Sequence, residues 1–300
     1  AHRQDGRLMQ VAHRATLLQA AMMVVAFGCL AWSFVHFDFS LKNVASNSNR
    51  MLPLPYRIAA TWGSHEGSML LWALMLGLWT AAVASFGRTL GTLVRSRVLG
   101  VQGFVSIGFL LFLLPTSNPF ERSLPAPPDG RDLNPLLQDP WMAVHPPIIF
   151  IGYALLAVPF VYSLESMMRS PADGGFLAPM RRWTLIAWSF LGAGIFIGGY
   201  WAYKGLGWGG SWGWDPVENS SLVPWLLSCI LLHLIAVART RRGAFYLVHL
   251  AAVFSYAFVL YGTFLTRSGI LGDFSVHSFA GTDIGFYIAL ANGIILLFGL

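Results

Sequence analysis

The feature that most restricts this chain is its series of long apolar runs. A helix that crosses a bilayer needs about 20 predominantly apolar residues. Seven runs come near that length, at 15–35, 67–86, 98–114, 146–162, 183–203, 222–238 and 245–264. An eighth begins near Ile284 and continues to Leu300. In hydrocarbon the backbone finds no water to bond, so separate runs of this kind span it as helices. The expected fold is all-α, a polytopic transmembrane helix bundle of seven spans plus an eighth cut by the chain end, forming one membrane domain over 1–300. Ala1 stands first and Leu300 falls inside an apolar run. The chain therefore reads as a fragment of a longer protein, with no readable signal peptide.

Only 11% of the residues are charged and 56% are apolar, against about 25% charged in soluble domains. The net charge of +6 does not imply a nucleic-acid partner, because the basic residues sit in short clusters between the apolar runs. The segments before the first run, and between the second and third, fourth and fifth, and sixth and seventh, hold 12 Arg and 3 acidic residues. The opposite segments hold 7 basic and 10 acidic residues. By the positive-inside rule the first set is cytoplasmic. The second set then faces outward, into the periplasm if the membrane is a bacterial inner membrane. Every long loop is on that outer side, at 36–66, 115–145, 204–221 and 265–283, and long ordered loops tend to carry function. Cys29 and Cys229 both fall in apolar runs and form no C-x-x-C pair. That spacing argues against a zinc site, a redox pair or a covalent c-type haem attachment within this chain, and reads as two buried free thiols.

The third outer loop reads Gly207-Trp208-Gly209-Gly210-Ser211-Trp212-Gly213-Trp214-Asp215-Pro216-Val217-Glu218-Asn219, flanked by Trp201 and Trp225. Tryptophan is common at the headgroup level, but an aromatic belt does not require interspersed glycines in a polar loop. Glycine lets a backbone approach a flat ligand, and indole faces stack on a large π-system such as a porphyrin. Two histidines share the outer face, His145 at the mouth of the fourth run and His277 after the seventh. Either alone reads as a hydrogen-bonded loop residue. Beside a Trp/Gly loop, the pair reads as two axial ligands for an outer-face haem iron.

His233 differs from both. It follows Pro224, a good first residue for a helix, by nine positions, which puts it roughly 14 Å into a hydrocarbon layer of about 30 Å. An ionisable residue at that depth is a functional candidate, here as a ligand of a b-type haem rather than as a helix–helix hydrogen bond. His249 lies at the wrong depth to partner it, so a second ligand is expected beyond Leu300.

These residues resemble a known family. The Trp-rich loop is similar to the W-G-x-x-W-x-W-D signature of the haem-handling superfamily, and the chain resembles in particular the cytochrome c maturation protein F family. Further strings carry the resemblance, among them Ala60-Thr61-Trp62-Gly63-Ser64-His65-Glu66-Gly67-Ser68, Thr116-Ser117-Asn118-Pro119-Phe120 and Gly262-Thr263-Phe264-Leu265-Thr266-Arg267-Ser268-Gly269. Ser211 and Gly213 stand where many relatives carry Trp and Phe, while Trp208, Gly209, Trp212, Trp214 and Asp215 keep the core of the signature.

The resemblance implies a parent protein about twice this length that acts as the haem-lyase (holocytochrome c synthetase) subunit. Haem from a haem chaperone would be held over the Trp-rich loop, and its vinyl groups would add to the two thiols of a C-x-x-C-H motif in apocytochrome c. It implies His145 and His277 as outer-face ligands and His233 as the first ligand of a transmembrane haem b, with quinol as an electron source. Thiol-handling maturation subunits and the lipid bilayer complete the implied partners. Arg57, Arg131 and Arg267 are outer-face candidates to meet haem carboxylates, with loop scaffolding as the competing role. No nucleophile is expected to be catalytic. Two other readings fit part of the pattern. A haem exporter or chaperone-loading protein would use the outer site but not His233, and a quinol-linked electron-transfer protein would use the b-haem without apocytochrome.

Overall fold

The computed structural model of the chain describes residues 6–87, 90–169, 174–207, 209–272, 275, 277–279 and 285–299. Among them are ten α-helices: α1 (Gly6–Val35), α2 (Lys42–Asn47), α3 (Leu54–Gly63), α4 (His65–Phe86), α5 (Thr92–Thr116), α6 (Pro140–Arg169), α7 (Leu177–Gly205), α8 (Pro216–Ala238), α9 (Phe245–Arg267) and α10 (Gly285–Gly299). Seven of them, α1 and α4 to α9, are long and apolar enough to cross a membrane. Each of the seven apolar runs lies inside one of these helices. The eighth run corresponds to α10, a shorter apolar helix.

The bundle has a centre and a periphery. In α4, α6 and α9, 61, 72 and 67% of the apolar stretch is buried, against 22 to 28% in α1, α5, α7 and α8. The central α6 packs on α4, α5, α7 and α9; α8 lies against α7 and α9, α1 against α4, and α10 against α9. The peripheral helices turn Val24, Val25, Phe104, Leu111, Phe196 and Leu226 outward. A helix that is apolar all round and packed on one side only belongs in lipid. Cys29 is exposed on α1 and Cys229 is half-buried on α8, so the expectation of two buried thiols is corrected: being inside an apolar run does not mean facing the core.

Small residues bring α6 and α7 together, as is usual between membrane helices. A Cβ at Gly194 would come 3.0 Å from the Ile149 Cα, and one at Gly152 would come 2.6 Å from the Leu191 side chain. Helix α6 also carries Pro146, Pro147 and Pro159 in its interior. Pro147 has no N–H to give the Ala143 carbonyl four residues back, and the Trp62 Nε1 donates to that oxygen instead, at 3.0 Å. With this carbonyl satisfied, the helix begins at Pro140, ahead of the apolar run.

The long segments 36–66 and 115–145 are not open loops. Helices α2 and α3 lie in the first, and the second is tied to it through Lys42 N–H to the Glu121 carbonyl, Ser123 N–H to Ser40 and Arg131 N–H to Ala45, at 2.7 to 2.9 Å. Gly130 is needed at this junction, because a Cβ there would overlap the Ser48 carbonyl.

Candidate functional site

The Trp-rich segment folds around the first turn of α8. Asp215 is the N-cap: its Oδ1 accepts the Val217 N–H at 2.9 Å. Glu218 reaches back to accept the N–H groups of Gly213 at 2.8 Å and Asp215 at 3.3 Å, completing a capping box. The tight path needs left-handed backbone at Gly209 (φ 73°) and at Trp214 (φ 56°), the second uncommon for a residue with a bulky side chain. Trp212 is half-buried and Trp214 largely exposed, and the two rings meet edge to face at 6.4 Å. Trp208 lies outside the described residues.

The other oxygen of Asp215 faces away from α8. Its Oδ2 accepts from Ser275 Oγ at 2.6 Å and from His277 Nδ1 at 2.8 Å. Burial works against the ionised Asp215. The hydrogen bonds from His277, Ser275 and the Val217 N–H outweigh it and hold the carboxyl below its ordinary value. The His277 ring meets Trp201 of α7 edge-on at 6.0 Å.

His145 lies in the second turn of α6, just ahead of the apolar run, because the helix begins at Pro140. Its ring sits against Gly198 of α7, where a Cβ would come 2.7 Å from Cε1. Its Nδ1 is 2.8 Å from the Gly194 carbonyl oxygen. A carbonyl only accepts, so the proton is on Nδ1 and the lone pair on Nε2, the arrangement of a metal-ligating histidine. At His277 the carboxylate oxygen likewise takes its hydrogen bond from Nδ1, which leaves Nε2 as the atom turned away from Asp215. His36 makes a comparable bond to the Trp32 carbonyl, so the tautomer alone does not mark a ligand; a shared cavity does. His145 and His277 line one open cavity of about 590 Å³ together with Trp62, Trp201, Trp212 and Arg267, within the size range of small-molecule sites. The Trp212 Nε1 is buried there without a hydrogen-bond partner among the described residues. The aromatic lining, the two available imidazole Nε2 atoms and a donor without a partner fit a large planar metal-bearing ligand with polar edges.

The three arginines are placed differently. Arg267 is buried at the cavity wall, where it donates to His65 Nδ1 at 2.8 Å and Ser68 Oγ at 2.9 Å and lies over the Phe279 ring. His65 in turn bonds Ser117 through Nε2 at 2.7 Å. Arg57 donates to the Val35 carbonyl at 2.9 Å and stacks over Phe37, and Arg131 is exposed. Neither of these two lines the cavity.

His233 stands apart. Helix α8 starts at Pro216 and Pro224 is inside it, so Pro224 is not the first residue of the helix, and His233 falls in the penultimate turn. Its ring is exposed on the outside of the bundle, with Nδ1 donating to the Cys229 carbonyl at 2.8 Å. His249 is buried, with its ring bonded to Ser163 and stacked on Phe176 of the segment before α7. Sequence reasoning missed the Asp215–His277 bond, the His65–Arg267 pair and the role of Trp62. The Asp-Pro-x-Glu pattern is the local signal that could have pointed to Asp215 as a helix cap.

A family profile described as cytochrome C assembly protein matches residues 62–271, which takes in the cavity and most of its lining. The chain is 47% identical over 308 residues to the cytochrome c-type biogenesis protein CcmF of Pseudomonas aeruginosa, covering all of this chain and 46% of that protein. It is 46% identical over 303 residues to CcmF of Escherichia coli, covering 99% of this chain and again 46% of the relative. A solved structure, cytochrome c heme lyase CcmF, superposes with a TM-score of 0.79 at 34% identity, covering 99% of this chain and 46% of that one. The chain thus spans about half the length of the relatives it matches. It belongs to the cytochrome c assembly protein family, as a CcmF/CycK/NrfE-like cytochrome c-type biogenesis protein.

Proposed function

We propose that this chain is the haem-holding half of a haem lyase in cytochrome c biogenesis, binding haem at the outer face of a bacterial inner membrane for thioether attachment to the C-x-x-C-H motif of apocytochrome c. The observation that carries the reading is the single cavity in which His145, His277 and Trp212 converge. It is supported by the heme lyase CcmF structure that the chain resembles. In this reading haem is the substrate and the protein positions it, which lowers a barrier without a nucleophile. His145 and His277 ligate its iron, Trp208, Gly209, Trp212 and Trp214 provide the platform, and Asp215 braces it. Arg267, already at the cavity wall, is the candidate for a haem carboxylate; Arg57 and Arg131 hold the outer cap.

His233 is the proposed first ligand of a resident haem b, which would supply one-electron chemistry when bound. Its outward exposure on α8 suits a second ligand from a segment beyond Leu300. The arginine-rich turns are proposed to face the cytoplasm and α10 to begin an eighth span. The haem chaperone, apocytochrome c, thiol-handling subunits and quinol are the proposed partners. A haem exporter would use the same outer cavity, but nothing in that role calls for a histidine on the outside of α8.

The test is spectroscopic. Oxidised and reduced spectra of the full-length protein should show a b-type haem that is lost in His233→Ala. Added haem should bind a second site that is lost in His145→Ala/His277→Ala. A protein that keeps both signals in these variants contradicts the assignment. A b-haem alone, with no outer site, favours the electron-transfer reading.

A further inference from the structure

We propose that Asp215 is a positioning residue for His277: one carboxylate oxygen caps the helix that follows the Trp-rich loop, and the other orients the His277 ring and strengthens Nε2 as a donor to iron. The inference rests on the reading of His277 as an iron ligand.

Capping explains half of the carboxylate. Oδ1 accepts the Val217 N–H at 2.9 Å, and a helix N-terminus asks for no more from its cap. Oδ2 serves a segment 60 residues further along the chain, accepting from Ser275 Oγ at 2.6 Å and His277 Nδ1 at 2.8 Å. Ser275 closes the arrangement, because its Oγ also accepts the His277 N–H at 3.1 Å. Backbone and ring of His277 are therefore both referred to one point, the start of α8. The same residue fixes the platform: Asp215 follows Trp214 directly, and its own N–H is held by Glu218. A change in the loop's position moves the ligand with it.

The two outer ligands are consequently unequal. His145 gives its Nδ1–H to a neutral peptide carbonyl, that of Gly194, whereas His277 gives its Nδ1–H to a carboxylate. A carboxylate draws the proton further from the ring and makes the imidazole the more basic ligand, the effect of outer-shell carboxylates on metal-bound histidines. A more basic ligand favours ferric iron and lowers its midpoint potential. A purely structural brace predicts no such change in potential.

Asp215→Asn separates the two roles, since asparagine caps a helix as well as aspartate does but offers no carboxylate to His277. The full-length protein in detergent, carrying His233→Ala so that only the outer site reports, is titrated with haem and then potentiometrically. The expected result for Asp215→Asn is haem binding about 10–100-fold weaker and a midpoint potential above that of the parent. Wild-type affinity and an unchanged potential overturn the proposal and leave Asp215 as a helix cap. Haem binding that survives His277→Ala undiminished overturns the ligand reading, and this proposal with it. If Asp215→Asn does not accumulate, Asp215→Ser, also a good cap without a carboxylate, is read in the same way.

Discussion

At the scale of single residues, Asp215 carries three hydrogen bonds on two oxygens, and their combined effect exceeds the penalty of partial burial. Its folded-state pKa is therefore depressed. The stability it contributes is fully present above the ordinary carboxylate value of 3.8 and is lost as pH falls through the lowered one. The thermal-midpoint difference between wild type and Asp215→Asn should thus hold steady through neutral and mildly acidic pH and shrink in strong acid. A difference that vanishes near neutrality would count against the carboxylate clamp. The cap itself was legible, because an aspartate followed by proline and then glutamate is a local pattern. The grip on His277 was not, since nothing local relates positions 62 apart. For the same reason Arg57, Arg131 and Arg267 looked alike in sequence, although only Arg267 reaches the cavity wall.

At the scale of elements, the apolar runs located all seven long helices, because burial in lipid is a demand on about 20 consecutive residues at once. Their ends were less legible. Helix α8 starts at Pro216 rather than Pro224 because the Asp215–Glu218 cap satisfies its first N–H groups. Helix α6 extends back to Pro140 because a distant indole serves the carbonyl left open by Pro147. The α6–α7 contact sets the position of His145, whose acceptor is the carbonyl of a packing glycine. Gly194→Val would push its side chain against the Ile149 backbone. It should cost about 1–3 kcal/mol, as overpacking usually does, lower the melting temperature and weaken haem binding together. Wild-type stability in this variant would mean that α6 and α7 can part without disturbing the bundle.

At the scale of the whole molecule, three buried helices are surrounded by four that are only about a quarter buried, and the outer segments are tied into a cap over one end. In the proposed orientation that end faces outside, because the arginine-rich turns are at the other. With Cys29 and Cys229 first replaced by serine, Leu124→Cys in the cap, 79% exposed, should react with an impermeant maleimide on intact cells. Arg241→Cys, exposed in the turn before α9, should react only after permeabilisation, and the reverse pattern would invert the topology.

His145 and His277 are separated by more than 130 positions of chain, with α7, the Trp-rich loop, α8 and α9 all made between them. A ribosome that has inserted the protein only as far as α8 has delivered one imidazole and the aromatic platform, but not the second imidazole or the serine that shares its carboxylate. On the proposed ligation, α6 to α9 are therefore inserted and packed before iron can be held from both sides, so competence to take haem waits on the segment that follows α9.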